Sequence, residues 1–246
     1  MIPSISLCMV VYNEAHRIYQ TLENAYPHVD EIVIVNQSST DDTVMRIGQF
    51  VADKARGRTP VKPVKVVRDK HWGFCEPSRK VAQQHSTGLW ILVLDADERI
   101  SDEFRDEMRF LDERGYRNCR LMRSLWLSGA HHFTGDYQHR FFHRDAVTYL
   151  DEIHTDPQPS GVNSDIYAPP YVGIWHEKSW TEQVRDERAY ASLITSRDAR
   201  HQEKLALNVH LKILEEFNMT AEEFDALPPE QRSEMLHLPE FTLGEK

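Results

Sequence analysis

Four short apolar runs, each rich in branched aliphatic residues, constrain the fold of this chain more than any other feature. They are Ile5–Val11 (ISLCMVV), Glu31–Asn36 (EIVIVN), Val64–Val67 (VKVV) and Trp90–Leu94 (WILVL). Short and nearly uninterrupted apolar runs are typical of strands that are covered on both faces, as in a parallel sheet. The N-terminal part of the chain is therefore predicted to contain a parallel sheet.

Helical patterns lie between these runs. The segment 14–25 places its apolar residues at helical spacing, and the segment 39–55 opens with the capping sequence Ser-Thr-Asp-Asp. Pro77 stands where a proline suits the first turn of a third helix. The alternation of strand and helix up to Asp95 predicts an α/β fold with a doubly wound, Rossmann-like half.

The pattern changes after Asp95, where the order of elements is less regular. A helix is predicted over about 101–113, and strand-like segments follow at 121–127 and 140–142. A helix-prone region covers 180–217, and the tail covers 220–246. This order predicts a mixed central sheet with helices at the C-terminal end. We expect a main domain over 1–178, with halves 1–98 and 99–178, and a helical extension over 179–246.

Composition narrows the class of protein. Hydrophobic residues make up 40% and charged residues 28% of the chain, as in ordinary globular proteins. The formal net charge of -10 disfavours nucleic acid as a partner, and only a local basic groove would reverse that expectation.

Cysteine usage and apolar stretches bear on location. The 3 cysteines (Cys8, Cys75 and Cys119) show no CxxC spacing, which indicates a reducing compartment without disulfides. No apolar stretch approaches the ~20 residues of a membrane span, and the N-terminus lacks the basic region of a signal peptide. We expect a soluble, cytoplasmic protein, with peripheral contact at the inner membrane face left open.

Polar residues follow three of the predicted strands. Tyr12-Asn13-Glu14 follows the first, residues 36–41 (NQSSTD) close the second, and Asp95-Ala96-Asp97-Glu98 follows the fourth. Ligands of open α/β sheets sit outside the carboxyl ends of the strands. These polar sets therefore predict one shared site at that edge.

Asp95 and Asp97 are two residues apart at a strand end, so both side chains are predicted to point to the same side. Paired carboxylates suit a hard divalent cation such as Mg²⁺ or Mn²⁺, with diphosphate oxygens completing its shell. The alternative is an acidic loop that complements the dipole of the following helix. The order of strands around the pair favours the metal site.

Several segments resemble glycosyltransferase family 2 and occur in the order of that family. They are ISLCMVVYNEA, VDEIVIVNQSSTDDT and GFCEPSRKVAQQHSTGLWILVLDADE, followed by the shorter HRFFHRD, EIHTD and GIWHEKSW. They cover residues 4–190 and are most similar to the small lipopolysaccharide-core glucosyltransferase-like branch. The resemblance implies a glycosyltransferase A-type fold and the inverting transfer of a sugar from a nucleotide-diphosphate donor.

The resemblance also implies a nucleotide site at the ends of the first two strands. Tyr12, Asn13 and Glu14 would lie against the nucleotide. Asn36 stands where the family usually has an aspartate that accepts a hydrogen bond from the base, and Ser38 replaces the usual glycine. Because an amide can donate as well as accept, the identity of the base stays open.

The same resemblance implies a diphosphate and metal site after the fourth strand. Arg79 matches a family arginine near the diphosphate, and Asp95 and Ala96 would contact the nucleotide sugar. Asp95 and Asp97 match the motif that holds ribose and metal, and His176 matches a C-terminal histidine that supplies a further ligand. The implied cofactor is Mn²⁺ or Mg²⁺.

Inverting transfer also requires a group that takes a proton from the acceptor hydroxyl. In the matching branch a His-Glu pair stands where this chain has His154-Thr155, so the usual glutamate is missing. We expect Asp156 to act as the base, with Glu152 next and Asp151 as a further candidate. For each of these carboxylates, an ordinary role as a loop residue is as well supported as the catalytic role.

Other functions compete with this interpretation. The sequence has no P-loop, no GxGxxG after the first strand and no GxSxG, which disfavours an ATPase, a dinucleotide oxidoreductase and an α/β-hydrolase. A nucleotidyltransferase would need a glycine-rich loop where Tyr12-Asn13-Glu14 stands, whereas a nucleotide-sugar-binding protein without turnover would explain the missing glutamate. The expected partners are a nucleotide-sugar donor, UDP-sugars first, and a glycan, lipid-linked glycan or protein acceptor.

Overall fold

The computed structural model describes residues 4–57, 60–108, 111, 114–150, 157–159, 166–167, 172–193, 214, 218–228 and 230–232. The strands are β1 (Ile5–Val11), β2 (Glu31–Asn36), β3 (Val64–Arg68), β4 (Trp90–Val93), β5 (Glu98–Ile100), β6 (Asn118–Leu127), β7 (Ala130–His143), β8 (Val147–Thr148), β9 (Gln158–Pro159), β10 (Ile166–Tyr167) and β11 (Gly173–Lys178). The helices are α1 (Ile18–Ala25), α2 (Thr43–Arg56), α3 (Glu76–His85), α4 (Phe104–Met108), α5 (Trp180–Leu193) and α6 (Ala221–Asp225).

The main sheet is mixed, with the strand order β3-β2-β1-β4-β7-β6-β11-β5 and with β10 beside β6. β1 pairs in parallel with β2 and β4, and β2 pairs in parallel with β3. β7 runs antiparallel to β4. The four apolar runs of the sequence are thus parallel strands, and the predicted mixed sheet is confirmed.

Both faces of β1, β2 and β4 are covered, whereas the edge strand β3 is partly exposed. Alternate residues of β1 enter two separate apolar clusters, because the side chains of a strand alternate between its faces. Leu22 of α1 and Phe50 of α2 pack into one cluster, and Ala82 of α3 packs into the other. Helices on both faces explain why these strands are apolar at nearly every position.

The first two helices begin later than their capping sequences predict, at Ile18 and Thr43. The backbone N–H of Glu14 donates to the Thr43 hydroxyl (2.7 Å), and that of Ala15 donates to the Asp41 carboxylate (3.1 Å). These polar residues tie the loops after β1 and β2 together before either helix starts. The sequence could not indicate this, since each bond joins residues far apart in the chain.

Glu31 is a buried carboxylate that joins β1, β2 and the turn before β4. It accepts hydrogen bonds from the Ser6 hydroxyl (2.5 Å) and from the backbone N–H groups of Thr87 and Gly88 (3.0 Å for Gly88). Burial raises the pKa of Glu31, but these bonds outweigh burial and lower it to about 2. A Cβ atom at Gly88 would collide with Ser6, so this turn requires glycine.

The described residues group into two compact units. One lies within Met1–Arg123 and Gly135–Trp175, and the other within Ser124–Thr134 and His176–Lys246. The predicted boundary at residue 178 stays a prediction. The sequence did not indicate that 124–134 fall in the second unit.

The second unit is organised around a hairpin turn and the half-buried carboxylate of Asp225. Ser128 and Gly129 have φ angles of 50° and 80°, the left-handed pair that a two-residue hairpin turn requires. Asp225 accepts hydrogen bonds from the Ser128 hydroxyl and from the backbone N–H groups of Trp180 (2.8 Å) and Thr181 (3.0 Å). Asp225 thereby fastens the start of α5 to the hairpin turn.

Within the described part of the chain, no helix combines the length and the apolar character that crossing a bilayer requires.

Candidate functional site

The carboxyl ends of β1, β2 and β4 lie side by side at one edge of the sheet. Val11 of β1 is in register with Asn36 of β2, and Cys8 of β1 is in register with Val93 of β4. β2 and β3 lie on one side of β1 and β4 lies on the other, so the strand order reverses at β1. Such a reversal leaves a crevice in which open α/β sheets bind ligands.

Two arginines hold the carboxylate of Asp95 at this edge. Arg79 of α3 donates from Nη2 to both Asp95 oxygens, at 2.8 Å to Oδ1 and 3.0 Å to Oδ2. Arg140 of β7 donates from Nη2 to Oδ2 of Asp95 at 2.8 Å. Both carboxylate oxygens of Asp95 therefore accept hydrogen bonds from guanidinium groups.

Arg140 extends this network to Glu98. Nη2 of Arg140 also donates to Oε1 of Glu98 at 2.9 Å, and Nη1 of Arg123 lies 3.6 Å from the same oxygen. The side chains of Arg140 and Glu98 are 5% and 0% exposed. Because an unpaired buried charge is costly, these groups are stable in the interior only as a set.

The arginines fix the protonation state of Asp95. Burial disfavours the ionised carboxyl, but the charges of Arg140 and Arg79 outweigh burial and hold the pKa of Asp95 well below its ordinary value. Burial likewise disfavours the charged guanidinium of Arg140, but Asp95 and Glu98 raise the pKa of Arg140. Asp95 is therefore an anion at neutral pH.

A second set of charges surrounds Asp97. Nη1 of Arg17 lies 3.7 Å from Oδ2 of Asp97, and Nε of Arg17 lies 2.8 Å from Oε2 of Glu14. Ala96 is buried between the two aspartates, and its carbonyl accepts the Thr21 hydroxyl at 2.5 Å. Glu14 and Asp97 are thus linked by Arg17, while Asp95 belongs to the other network.

Asn13 connects the loops that follow β1 and β2. Its Oδ1 accepts from the backbone N–H groups of Thr40 (2.8 Å) and Asp41 (3.3 Å), and its own N–H donates to Ser39 Oγ (2.9 Å). The φ of Asn13 is 59°, a left-handed conformation that asparagine adopts more readily than most residues. Asn13 fixes the shape of the edge, and its direct contact with a nucleotide stays a prediction.

Asn36 and Ser38 shape the end of β2 and its loop. Oδ1 of Asn36 accepts a hydrogen bond from the Ser39 N–H at 3.0 Å. Ser38 has a φ of 59°, and its hydroxyl donates to the Asp69 carbonyl at 2.8 Å. A left-handed serine costs roughly 1–2 kcal/mol in strain, which this hydrogen bond offsets in part.

Exposed aromatic rings lie after β1 and β3. The rings of Tyr12 and His71 stack with their centroids 3.8 Å apart, and Tyr12 is 38% exposed. Trp72 donates from Nε1 to Oδ2 of Asp69 at 3.0 Å, and Nζ of Lys70 lies 3.5 Å from the centroid of the Trp72 ring. Exposed planar rings at a strand end offer surfaces on which a nucleobase can stack.

One carboxylate at this edge suits a divalent cation. Among the described residues, no group of three or more His, Cys, Asp or Glu side chains is arranged to hold a metal ion. A cation that shares phosphate oxygens needs only one or two protein carboxylates, and Asp97, 12% exposed, fits that need better than the arginine-bound Asp95. His176 lies in β11 and belongs to the second unit, so its role as a ligand stays a prediction.

The predicted catalytic residues Asp156, Glu152 and His154, and the further candidate Asp151, lie outside the described residues. The described chain before them ends with buried Tyr149 and exposed Leu150. The assignment of the base therefore stays a prediction.

The sequence interpretation missed Arg140 and Asp69 as parts of this edge. Asp69 directly follows β3, so the rule that selected Asp95, a polar residue after a strand, would also have selected it. Arg140 lies inside HRFFHRD, but its partner Asp95 becomes visible only because β7 pairs with β4.

Comparison with known proteins finds a family match in the N-terminal half of the chain. Residues 6–118 match the family described as Glycosyl transferase family 2. An uncharacterized glycosyltransferase of Rickettsia felis is 32% identical over 107 residues, which cover 44% of this chain and 33% of that protein. The matched segment thus spans about a third of the relative's length.

Two solved structures share the fold. Residues 1–349 of TarS from S. aureus, in complex with UDP-GlcNAc, are 15% identical with a TM-score of 0.52, over 82% of this chain and 70% of that chain. A mannosyltransferase from Pyrobaculum calidifontis, in complex with GDP-Man and Mn²⁺, is 16% identical with a TM-score of 0.53, over 96% of this chain and 73% of that chain. These likenesses confirm the expected α/β, glycosyltransferase A-type fold.

Proposed function

We propose, from the match of residues 6–118 to the family described as Glycosyl transferase family 2, that the protein transfers a sugar from a nucleotide-diphosphate donor to an acceptor hydroxyl with inversion. The observation that carries this proposal is the convergence of Arg79 and Arg140 on Asp95 where the strand order reverses. This edge combines a ligand crevice with paired guanidinium groups, which suits a bound diphosphate.

Arg79 and Arg140 are the groups that we assign to the diphosphate. Each uses Nη2 for Asp95, while Nε of Arg79 and both Nε and Nη1 of Arg140 are sealed from solvent and have no hydrogen-bond partner among the described residues. In this conformation the two arginines would therefore act on a diphosphate mainly through their charge. Guanidinium groups bind phosphate oxygens in a fork of parallel hydrogen bonds. Their fixed positive charge would stabilise the negative charge that develops on the leaving diphosphate.

Asp97 is the carboxylate that we assign to a cation. Bound there, Mn²⁺ or Mg²⁺ would neutralise part of the charge on the leaving diphosphate. The mannosyltransferase structure with Mn²⁺ supports the use of that ion in the assay. The proposed site also includes Asp95, which would contact the ribose and which holds the two arginines, and His176, which would be a further ligand of the cation. The residues that would lie towards the base are Tyr12, Asn36 and Ser38.

For the proton transfer we propose a carboxylate near His154, with Asp156 first and Glu152 second. A base in this position takes the proton of the acceptor hydroxyl while the bond to the sugar forms and the diphosphate leaves. If Asp156 is the base, Asp156→Asn lowers kcat about 10²- to 10⁴-fold, and Glu152→Gln, the matched amide variant, does not. A loss with Glu152→Gln alone would reassign the base.

The direct test is donor turnover. The protein is incubated with Mn²⁺ and a panel of UDP- and GDP-sugars, together with glycan, lipid-linked glycan and peptide acceptors, and the released nucleoside diphosphate is measured. We expect turnover of at least one donor and a loss of about 10²-fold or more in Asp97→Asn. Asp145→Asn removes an exposed aspartate of the same unit and serves as the control, which should keep wild-type activity.

Three outcomes separate the candidate functions. Turnover that is lost in Asp97→Asn and kept in Asp145→Asn supports the proposal. Tight donor binding without product would favour a nucleotide-sugar-binding protein without catalysis. Neither binding nor hydrolysis of any donor, with Asp97→Asn equal to wild type, would refute a donor site at this edge.

A further inference from the structure

Basic residues are concentrated in one segment of an otherwise acidic chain. Residues 54–70 contain seven Lys and Arg residues and a single acidic residue, Asp69. The formal charge of this segment is therefore +6, against -10 for the whole chain. Because like charges repel, such a concentration disfavours the compact state, and it is typical of a surface that binds an anionic partner.

The basic segment runs along an open edge of the main sheet. It leads from the end of α2 into β3, which is the edge strand next to β2. The side chains of Arg56 in α2 and Lys65 in β3 are 78% and 42% exposed. Arg68, which ends β3, and Lys70 are exposed as well. We call these four residues, together with Lys62, the basic strip.

Two lysines meet at one end of the basic strip. The Nζ atoms of Lys62 and Lys54 lie 4.7 and 4.8 Å from the centroid of the same ring, that of Tyr26. Nζ of Lys54 pairs with Glu23 at 2.7 Å, whereas Nζ of Lys62 donates to the Tyr26 carbonyl at 2.6 Å. Burial and the positive charges of Arg105 and Lys54 lower the pKa of Lys62. Positive charge is thus crowded at this end of the strip.

Much of the charge of the basic strip is not neutralised within the protein. In the part of the chain that the structure describes, Arg56 and Lys65 each pair with one carboxylate. No carboxylate of that part forms an ion pair with Lys62, Arg68 or Lys70. These three cations are therefore available to an anionic partner.

Exposed apolar side chains stand among the cations. Val61, Val66 and Trp72 are 39%, 46% and 37% exposed, and Nζ of Lys70 lies 3.5 Å from the centroid of the Trp72 ring. Tryptophan favours the headgroup level of a bilayer, and lysine keeps its ammonium group in water while its stem covers apolar surface. Charged residues commonly protect an edge strand from pairing, which would explain Lys65 but not the exposed Val66 and Trp72.

We propose that the basic strip binds the anionic surface of a lipid bilayer, with Val66 and Trp72 at the level of the headgroups. A nucleic acid would also attract the cations, but its phosphate backbone offers no apolar partner for exposed valines. This binding does not depend on the proposed function. His71 stands between Lys70 and Trp72 and stacks on Tyr12, so a bilayer bound here would lie beside the proposed donor site, where a lipid-linked acceptor would reach it.

Vesicle flotation tests the proposal without a nucleotide sugar. The full chain is incubated with vesicles of phosphatidylcholine alone and of an equal mixture of phosphatidylcholine and phosphatidylglycerol. The bound fraction is measured at about 0.1 M and about 1 M NaCl, where the screening length falls from about 10 Å to about 3 Å. We expect binding to the mixed vesicles at low salt only, because each Lys or Arg near an anionic surface raises the partition coefficient about fivefold.

Two double variants and one single variant locate the contact. Arg68→Gln/Lys70→Gln removes two cations of the strip and should weaken partition into the mixed vesicles about 25-fold. Arg46→Gln/Arg114→Gln, the matched control, removes two exposed arginines elsewhere in the same unit and should stay within about threefold of wild type. In vesicles with brominated lipids, Trp72→Phe should lose part of the quenching of tryptophan fluorescence. A circular dichroism melt of each variant shows that it is folded.

The outcomes either support the bilayer contact or overturn it. Support is a loss of about tenfold or more in Arg68→Gln/Lys70→Gln with the control near wild type. Equal binding to both kinds of vesicle, binding to neither, binding that survives about 1 M NaCl, or equal losses in the two double variants would overturn it.

Unchanged quenching in Trp72→Phe would likewise exclude a contact at this strip. Binding of single-stranded RNA but not of vesicles, with the same dependence on Arg68 and Lys70, would assign the strip to a nucleic acid instead. Since none of these measurements involves a sugar donor, failure of this inference and failure of the proposed function are distinguishable.

Discussion

Replacing Arg140 with methionine tests whether the buried charges at the end of β4 act as one network. Nη2 of Arg140 donates to Oδ2 of Asp95 at 2.8 Å and to Oε1 of Glu98 at 2.9 Å. Methionine fills a similar volume and removes only the charge and the donors. Asp95 would keep Arg79, whereas the fully buried Glu98 would keep the Asp95 N–H (2.9 Å) and the more distant Arg123.

The expected loss in the free energy of unfolding follows from the burial of Asp95 and Glu98, the partners of Arg140. Removing one member of a buried ion pair costs about 3–5 kcal/mol, largely because the other charge is left uncompensated. Because both carboxylates retain one partner, we expect Arg140→Met to lower the free energy of unfolding by about 3 kcal/mol, the lower end of that range. Arg140→Lys, which keeps the charge but loses the rigid planar guanidinium, should lower the free energy of unfolding by about half as much.

The assay is urea denaturation followed by circular dichroism, in a double-mutant cycle with Glu98→Gln. The double variant should cost less than the sum of the two single variants, because neither change then leaves an unpaired buried charge. Arg56→Met is the control, since its side chain is 78% exposed and pairs at the surface with Asp53. We expect that control to stay within about 0.5 kcal/mol of wild type.

Two results would refute this reasoning. One is an Arg140→Met variant as stable as Arg56→Met, which would mean that the buried ion pairs of Arg140 do not contribute to the free energy of unfolding. The other is strict additivity of Arg140→Met and Glu98→Gln, which would mean that the two side chains do not depend on each other. Either result would also remove the physical ground for assigning Arg140 to a fixed positive site.

Two further predictions concern carboxylates outside this network. The pKa of Glu31 is lowered to about 2 from an ordinary 4.5, so its contribution to stability is complete above about pH 4.5 and is lost as the pH falls towards 2. Urea midpoints of wild type and Glu31→Gln should therefore differ more at pH 6 than at pH 3, and an equal difference at both pH values would contradict this. Asp225→Asn leaves one acceptor oxygen for the donors of Trp180 and Thr181, so we expect a loss of about 2 kcal/mol and faster hydrogen exchange at the start of α5. Unchanged exchange there would show that Asp225 does not fasten the helix.

The fold of the N-terminal half could be predicted because local pattern and global structure agree there. The runs at β1, β2, β3 and β4 are short, branched and flanked by helical periodicity, and each forms a parallel strand. The mixed character of the sheet beyond β4 was also predictable, although the place of β7 beside β4 was not, since pairing partners are set by long-range contacts.

The candidate site was predictable in its position and only partly in its contacts. The strand-end rule selected Asp95 and Asn36 correctly as residues of one edge. It gave no sign that Arg140 would bind Asp95, or that Asn13 would connect two loops, because both depend on side chains that meet only after folding. The roles of Asp97, His176 and Asp156 stay predictions.

The internal pairing of Asp95 has a consequence for how mutations in this motif are interpreted. Its carboxylate is the built-in counterion of Arg79 and Arg140, so two like-charged guanidinium groups are brought together during folding and before any ligand arrives. An inactive Asp95 variant therefore reports the loss of that counterion as much as the loss of a ligand. Asp97, whose Oδ2 lies 3.7 Å from Nη1 of Arg17, is the position at which we expect an effect on the proposed cation to be separable from an effect on Arg79 and Arg140.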